Sequence, residues 1–170
     1  MKRIMLFLIA AFVMTAAVSA QNMLDAYIID SDGPVTNIRN APNGKVVSTL
    51  PTDESYVVTL LQVKGEWWKI DKTVSREGDD AKEITLKGSK TGYWIHRSLL
   101  SFTINGDPEG VIKVKPSSKA KAVKISNYAD LSLMPVDVKG KWVKVMSADR
   151  KYTGWMPIDR ICSNPLTTCP

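Results

Sequence analysis

Residues able to do chemistry are few in this chain, and their spacing narrows the chemistry further. One histidine, His96, and two cysteines, Cys162 and Cys169, occur in 170 residues. A zinc cage draws about three or four protein ligands, mostly from those two types, so a metalloenzyme built on a His/Cys set is excluded and no metal or cofactor is expected. His96 stands beside no serine or cysteine in a nucleophile motif and reads as structural. Asp30-Ser31-Asp32-Gly33 begins like a calcium loop, but Ala41 occupies the place where the last loop position needs a bidentate glutamate. A plain Asp-Gly turn is therefore expected. With no phosphate-cradling loop and no catalytic triad, the chain reads as a non-enzyme.

What remains is aromatic and repeated. Val63-Lys64-Gly65-Glu66-Trp67-Trp68-Lys69-Ile70 returns 75 residues later as Val138-Lys139-Gly140-Lys141-Trp142-Val143-Lys144-Val145, identical at five of eight positions. Successive side chains of a strand point to opposite faces, so Trp67 and Lys69 share one side while Trp68 and Ile70 share the other. The second copy divides the same way, Trp142/Lys144 against Val143/Val145. Trp68 and Ile70 read as core, which leaves Trp67 and Trp142 partly exposed. A Trp with one open face is common at energetic hot spots of binding surfaces, but it can also simply cover an end of the fold. Both readings stand at this point. The candidate ligand-binding set is Trp67, Lys69, Tyr93, Trp142 and Lys144.

The elements that must position these residues are strands. The apolar fraction of 44% and charged fraction of 24% are those of an ordinary folded protein. Residues 46–47, 56–63, 67–70, 84–86 and 93–95 are short and rich in β-branched and aromatic types, and Pro51, Gly65, Gly78, Gly88 and Gly92 separate them. Residues 131–133, 136–138 and 142–146 continue the pattern. No stretch after Ala20 sustains a helical apolar stripe for three turns; only a short turn of helix is expected, near Arg97-Ser98-Leu99 or Pro157-Ile158-Asp159. Each copy runs on into a Gly-aromatic segment, Gly92-Tyr93-Trp94-Ile95 or Gly154-Trp155-Met156. The first copy spends 14 more residues than the second in reaching it, and a lengthened hairpin over about 71–91 is expected to project from the fold. Small sheets of this kind bury a face by curling up, so the fold class expected is all-β, two small barrels in tandem.

Several of these segments together resemble the bacterial SH3 domain family. Asn37-Ile38-Arg39-Asn40-Ala41-Pro42, Gly44-Lys45-Val46-Val47, Leu50-Pro51, Gly65-Glu66-Trp67-Trp68-Lys69-Ile70 and Gly92-Tyr93-Trp94-Ile95-His96-Arg97-Ser98-Leu99-Leu100 follow one another in that family's order over residues 35–102. The second copy, about 110–161, is a degenerate relative in which Lys115 is expected where Arg39 stands and Pro116-Ser117-Ser118 replaces the Asn40-Ala41-Pro42 turn. The resemblance implies SH3-like barrels over 21–105 and 106–170. It also implies binding of a peptide or cell-wall peptidoglycan fragment, and no catalytic chemistry.

The N-terminus sets the expected compartment. Lys2 and Arg3, an apolar stretch over 4–18 and Val18-Ser19-Ala20 match a secretory signal peptide over 1–20, and the junction at Ala20-Gln21 resembles those of Bacteroidota. A periplasmic or extracellular protein with no membrane span after processing is expected, and nucleic acid is not an expected partner. The leader removes two of the net +6 charges. The remainder is uneven: residues 21–105 carry 10 Lys/Arg against 11 Asp/Glu, and 106–170 carry 11 against 6. Lys113, Lys115, Lys119, Lys121 and Lys124 supply most of that excess, and alternation with Ile112, Val114, Val123 and Ile125 places them on the wet face of strands, as a solvated edge or a contact for an anionic polymer.

The function expected is that of an exported, non-enzymatic binding module for a peptide or peptidoglycan fragment. Two alternatives are an inhibitor or immunity-type protein that plugs an exported enzyme or toxin with the long hairpin, and an accessory subunit of a separate wall hydrolase. In an oxidising compartment two cysteines so close, with Asn164-Pro165 able to turn between them, are expected to pair. We therefore predict a Cys162–Cys169 disulfide that stabilises the fold by about 2 kcal/mol. Mass spectrometry of the exported protein without reductant checks it, and two free thiols would rule it out.

Overall fold

The computed structural model describes residues 24–128, 131–164 and 166; the expected signal peptide and Cys169 lie outside that range. The chain is all-β. Its strands are β1 (Leu24–Ile28), β2 (Val35–Arg39), β3 (Val46–Pro51), β4 (Ser55–Lys64), β5 (Trp67–Glu77), β6 (Lys82–Thr85), β7 (Tyr93–His96), β8 (Leu100–Ser101), β9 (Thr103–Ile104), β10 (Leu133–Lys139), β11 (Trp142–Ser147), β12 (Thr153–Pro157) and β13 (Ile161–Cys162). No helix among the described residues is long and apolar enough to cross a membrane. Short 3-10 turns at Arg97–Leu99 and Ile158–Arg160 follow β7 and β12, where a turn of helix was expected.

Pairing is antiparallel and the sheets are open. One sheet runs β3-β2-β7-β5-β4-β1-β8, with β6 also on β5; a second runs β10-β11-β12, and β9 pairs β13. The two copies share one register. Lys64 pairs Trp67 and Trp68 pairs Ile95 in the first; Lys139 pairs Trp142 and Val143 pairs Met156 in the second. Each inner hairpin closes on a two-residue turn whose first residue is Gly65 (φ 62°) or Gly140 (φ 60°), a backbone region that glycine enters at no steric cost. Residues 131–133 and 136–138, expected as two strands, belong largely to the single strand β10, which continues through Pro135 by means of an irregularity between Pro135 and Asp137.

The lengthened hairpin does not project. β4 accompanies β5 along its length, from Lys64–Trp67 to Ser55–Glu77, while β6 flanks the far half of β5 through Thr73–Thr85 to Arg76–Lys82. Val74 is fully buried and Leu86 is 5% exposed. Arg76 ties the tip down, donating to both Glu54 carboxylate oxygens at 2.9 and 3.0 Å and to the Asp80 carbonyl at 2.9 Å. The alternation of Ile84-Thr85-Leu86 was a sign of sheet membership, and the insertion enlarges the core instead of leaving it.

One hydrophobic core serves both copies. Leu24, Trp68, Ile95 and Phe102 belong to the same buried cluster as Ile112, Leu133, Val143 and Met156. The Trp68 indole N–H donates to the Pro135 carbonyl at 3.0 Å, and Phe102 and Leu133 exchange backbone hydrogen bonds at 3.1 Å. β9 in the first half pairs β13 in the second through Ile104–Ile161 and Thr103–Cys162. A chain break at 105 would therefore cut through shared structure.

Two outcomes follow. Trp68→Ala should destabilise the protein by about 3–5 kcal/mol in a single denaturant transition, because it removes core volume and orphans Pro135. Halves expressed separately that melt as cooperatively as the whole chain would sink this account. Tyr56 is buried and donates to Glu54 at 3.0 Å; burial, then that hydrogen bond and the carboxylate charge, push its phenol from 10.0 up to about 12. The neutral form is the one folding favours, so this stabilisation is whole below about pH 10 and is lost as the pH rises through about 12. In alkaline titrations of stability, Tyr56→Phe should fall less steeply than wild type over that window.

Candidate functional site

Strand alternation decides which indole is available. Trp68 is 2% exposed, whereas Trp67 is half-buried and lies outside the core cluster. Its neighbours come from three segments that the sheet order β2-β7-β5 brings side by side. His96, at the end of β7, sits edge-on to Trp67 with ring centroids 5.2 Å apart and planes at 74°. Arg39, at the end of β2, holds its guanidinium 5.8 Å from the indole centroid, within reach of a cation–π attraction. The same guanidinium donates to the Gly44 carbonyl at 2.7 Å. Asn43 in that loop has φ 55°, a left-handed conformation that asparagine tolerates better than most residues.

The polar rim is charge-paired. Arg97 donates to Glu66 Oε1 at 2.6 Å and His96 Nε2 lies 3.6 Å from Glu66 Oε2. His96 Nδ1 faces Ser98, 2.7 Å from its Oγ, and accepts the Ser98 backbone N–H at 3.3 Å, which fixes the ring at the start of the 3-10 turn. Pro42, Asn43, Lys64, Gly65, Glu66, Trp67 and His96 together line an open depression of about 330 Å³. The site offers an aromatic wall, guanidinium donors and a carboxylate acceptor. Among the described residues no group of three or more His, Cys, Asp or Glu is placed to hold a metal ion.

Cross-strand partners share a face, and this exposes a ladder common to both copies. On the outer face of the large sheet, Arg39 stands opposite Trp94, Trp94 opposite Lys69 and Lys69 opposite Gln62. On the second sheet, Lys113 stands opposite Trp155, Trp155 opposite Lys144 and Lys144 opposite Asp137. The counterpart of Arg39 is thus Lys113, not Lys115. Gly154 makes this alignment possible: a Cβ there would meet Ile112 Cγ2 at 2.5 Å and the Lys113 carbonyl at 2.8 Å, so only glycine lets the Lys113 segment close on β12. The expected alternation of residues 112–125 holds at Ile112, which is buried, but fails at Val114, which is 51% exposed.

The structure separates the sequence candidates. Trp67 and Lys69 lie on the outer face, with Trp67 in the depression and the Lys69 stem lying across Gly92. Trp142 and Lys144 take the equivalent outer positions of the second sheet. Tyr93 does not belong with them. It lies on the opposite face of β7, 8% exposed, and its hydroxyl donates to the Leu86 carbonyl at 2.9 Å, so it holds the β6 end in place and presents nothing to solvent. Cys162 is buried on β13, and its expected partner lies outside the described residues. Asp30 accepts the Asp32 backbone N–H at 3.1 Å, the Asp-Gly turn expected there. Arg39, Glu66, His96 and Arg97 were missed as site residues, although each stands within or beside the quoted motifs.

No family model matches the chain, and no curated protein matches it. Among solved structures it is similar to NlpC1 from Trichomonas vaginalis, with a TM-score of 0.32 and 14% identity over 92% of this chain and 51% of that one. The chain spans about half the length of that protein, and a likeness so loose carries no argument about fold or activity.

Proposed function

We propose that this chain is an exported, non-enzymatic binding protein made of two SH3-like units, over 21–105 and 106–170, whose first unit takes a peptide or peptidoglycan fragment at Trp67. The observation that carries the reading is the half-open Trp67 indole, set outside the core and framed by Arg39, His96 and the Glu66–Arg97 pair. An indole face accepts apolar or planar groups. Guanidinium groups at its rim suit carbonyls and carboxylates, and Glu66 suits an ammonium. Peptide stems carry all of these.

The second unit has lost this arrangement. By register Pro157 replaces His96; Lys141 replaces Glu66 in the inner hairpin turn, and Ile158 replaces Arg97 at the start of the 3-10 turn. Trp142 is kept without its polar rim. The leading reading is favoured over the inhibitor alternative by the hairpin's pairing within the sheet, with Val74 in the core.

Trp67→Ala should remain folded, losing about 1 kcal/mol of stability as a half-exposed position, and should weaken binding of sugar-free peptidoglycan stem peptides roughly 30-fold, as an aromatic hot spot does. Trp142→Ala should leave that binding unchanged. Calorimetric titration of wild type and both variants decides it. Unchanged binding by Trp67→Ala would overturn the proposal, and unfolding of that variant would reverse the face assignment.

A further inference from the structure

The second unit keeps the aromatic-cationic ladder but uncovers it. In the first unit Trp94 is only 8% exposed, so of its two outer rings Trp67 alone opens to solvent. In the second, Trp142 and Trp155 are both half-buried and both outside the core cluster. Trp142 pairs Pro157 and Trp155 pairs Lys144, which makes the two residues diagonal neighbours on one sheet face, a backbone spacing of about 7–8 Å.

Lysines flank them on both sides. Lys144 on β11 and Lys113, through an isolated bridge from a segment outside the strands, stand directly opposite Trp155, and Lys139 stands opposite Trp142. Lys115, two residues beyond Lys113, is exposed. The acidic residue of this face is Asp137, whose Oδ1 accepts the Val138 backbone N–H at 2.8 Å. Among the described residues none of these four lysines makes an ion pair, the ion-paired lysine being Lys151 with Asp149. The face belongs to the half with 11 basic against 6 acidic residues, and its lysines outnumber the one carboxylate, Asp137, that stands opposite Lys144.

We propose that this face binds an anionic polysaccharide, a chain of sugar rings bearing carboxylate or phosphate groups. The apolar C–H face of a sugar ring packs on an indole, and diagonal indoles serve two linked rings. Lysines in line with each ring meet the charges at the sugar edges as mobile point charges. A polyanion without rings would use the lysines and leave Trp155 idle. A neutral glycan would use the indoles and leave Lys113, Lys139 and Lys144 idle. The site is independent of the Trp67 depression and does not rest on the reading given for it.

The test titrates the whole mature chain with polygalacturonate, with a phosphorylated mannan, with neutral dextran and with inorganic polyphosphate. Binding of one or both anionic glycans is expected, the pair distinguishing carboxylate from phosphate, with a loss between about 0.05 and 0.5 M salt as the charges are screened. Lys113→Gln/Lys144→Gln should weaken it roughly tenfold with an unchanged melting temperature. Trp155→Ala should weaken it as well, and Trp155→Tyr should restore most of it, whereas Trp67→Ala should bind these glycans as wild type does. Absence of binding to both anionic glycans at low salt, equal binding of polyphosphate, or tolerance of the double lysine substitution would overturn the proposal. Should Trp155→Ala fail to fold, the lysine variant still decides.

Discussion

The pleat of β5 at Trp67-Trp68 is the constraint on which the rest of this molecule depends. Two adjacent indoles on a strand cannot share a face, so whichever enters the core sends the other out. Trp68 enters, and its N–H reaches the Pro135 carbonyl of the other half, so the ring fills volume and also fastens the two copies together. A buried indole N–H without an acceptor would be costly, which gives Pro135 and the β10 irregularity a role in the packing of a residue 67 positions away. Trp67 is then held outside, where β2 and β7 place Arg39 and His96 against it.

Duplication explains why the second sheet looks so much like part of the first, and divergence explains why the two surfaces differ. The pairing of the inner hairpins is preserved residue for residue, as are the glycines at their turns, because backbone geometry tolerates little change there. The rim is freer. The Arg97 backbone N–H donates to the Glu66 carbonyl at 2.8 Å, and Ile158 keeps that bond to Lys141 at 3.0 Å, so replacing His96, Glu66 and Arg97 by Pro157, Lys141 and Ile158 removes side-chain contacts and changes what that surface can attract. Lysine at 113 in place of arginine at 39 is part of the same shift, since an ammonium on a flexible stem does not lie over a ring as a planar guanidinium does.

The shared core packs both surfaces onto one hydrophobic interior. A sheet unit of this size buries a limited fraction of its chain, and here Phe102, Leu133 and their neighbours belong to one core shared by both copies. The hairpin over β5 and β6 belongs to the same economy of burial, contributing Val74 and Leu86 to the interior.

Much was legible from local pattern. The alternation in Trp67-Trp68-Lys69-Ile70 showed which ring is buried; the repeat at 75 residues showed the matching hairpin, and glycine at 65 and 140 showed its turn. All of these are properties of a few consecutive residues, because side-chain facing has a period of two and turn conformation is a matter of single dihedral angles. Register between distant segments is not local. That Lys113 and not Lys115 answers to Arg39, that Tyr93 turns inward to Leu86, that the hairpin lies in the sheet, and that His96 stands against Trp67 all depend on which strand lies beside which and at what offset. A one-residue slip would exchange every face, and only the packing of the whole core selects among the offsets. The sequence by itself determined strands, duplication and the inward or outward sense of each tryptophan; the tertiary structure decided which charges those tryptophans meet.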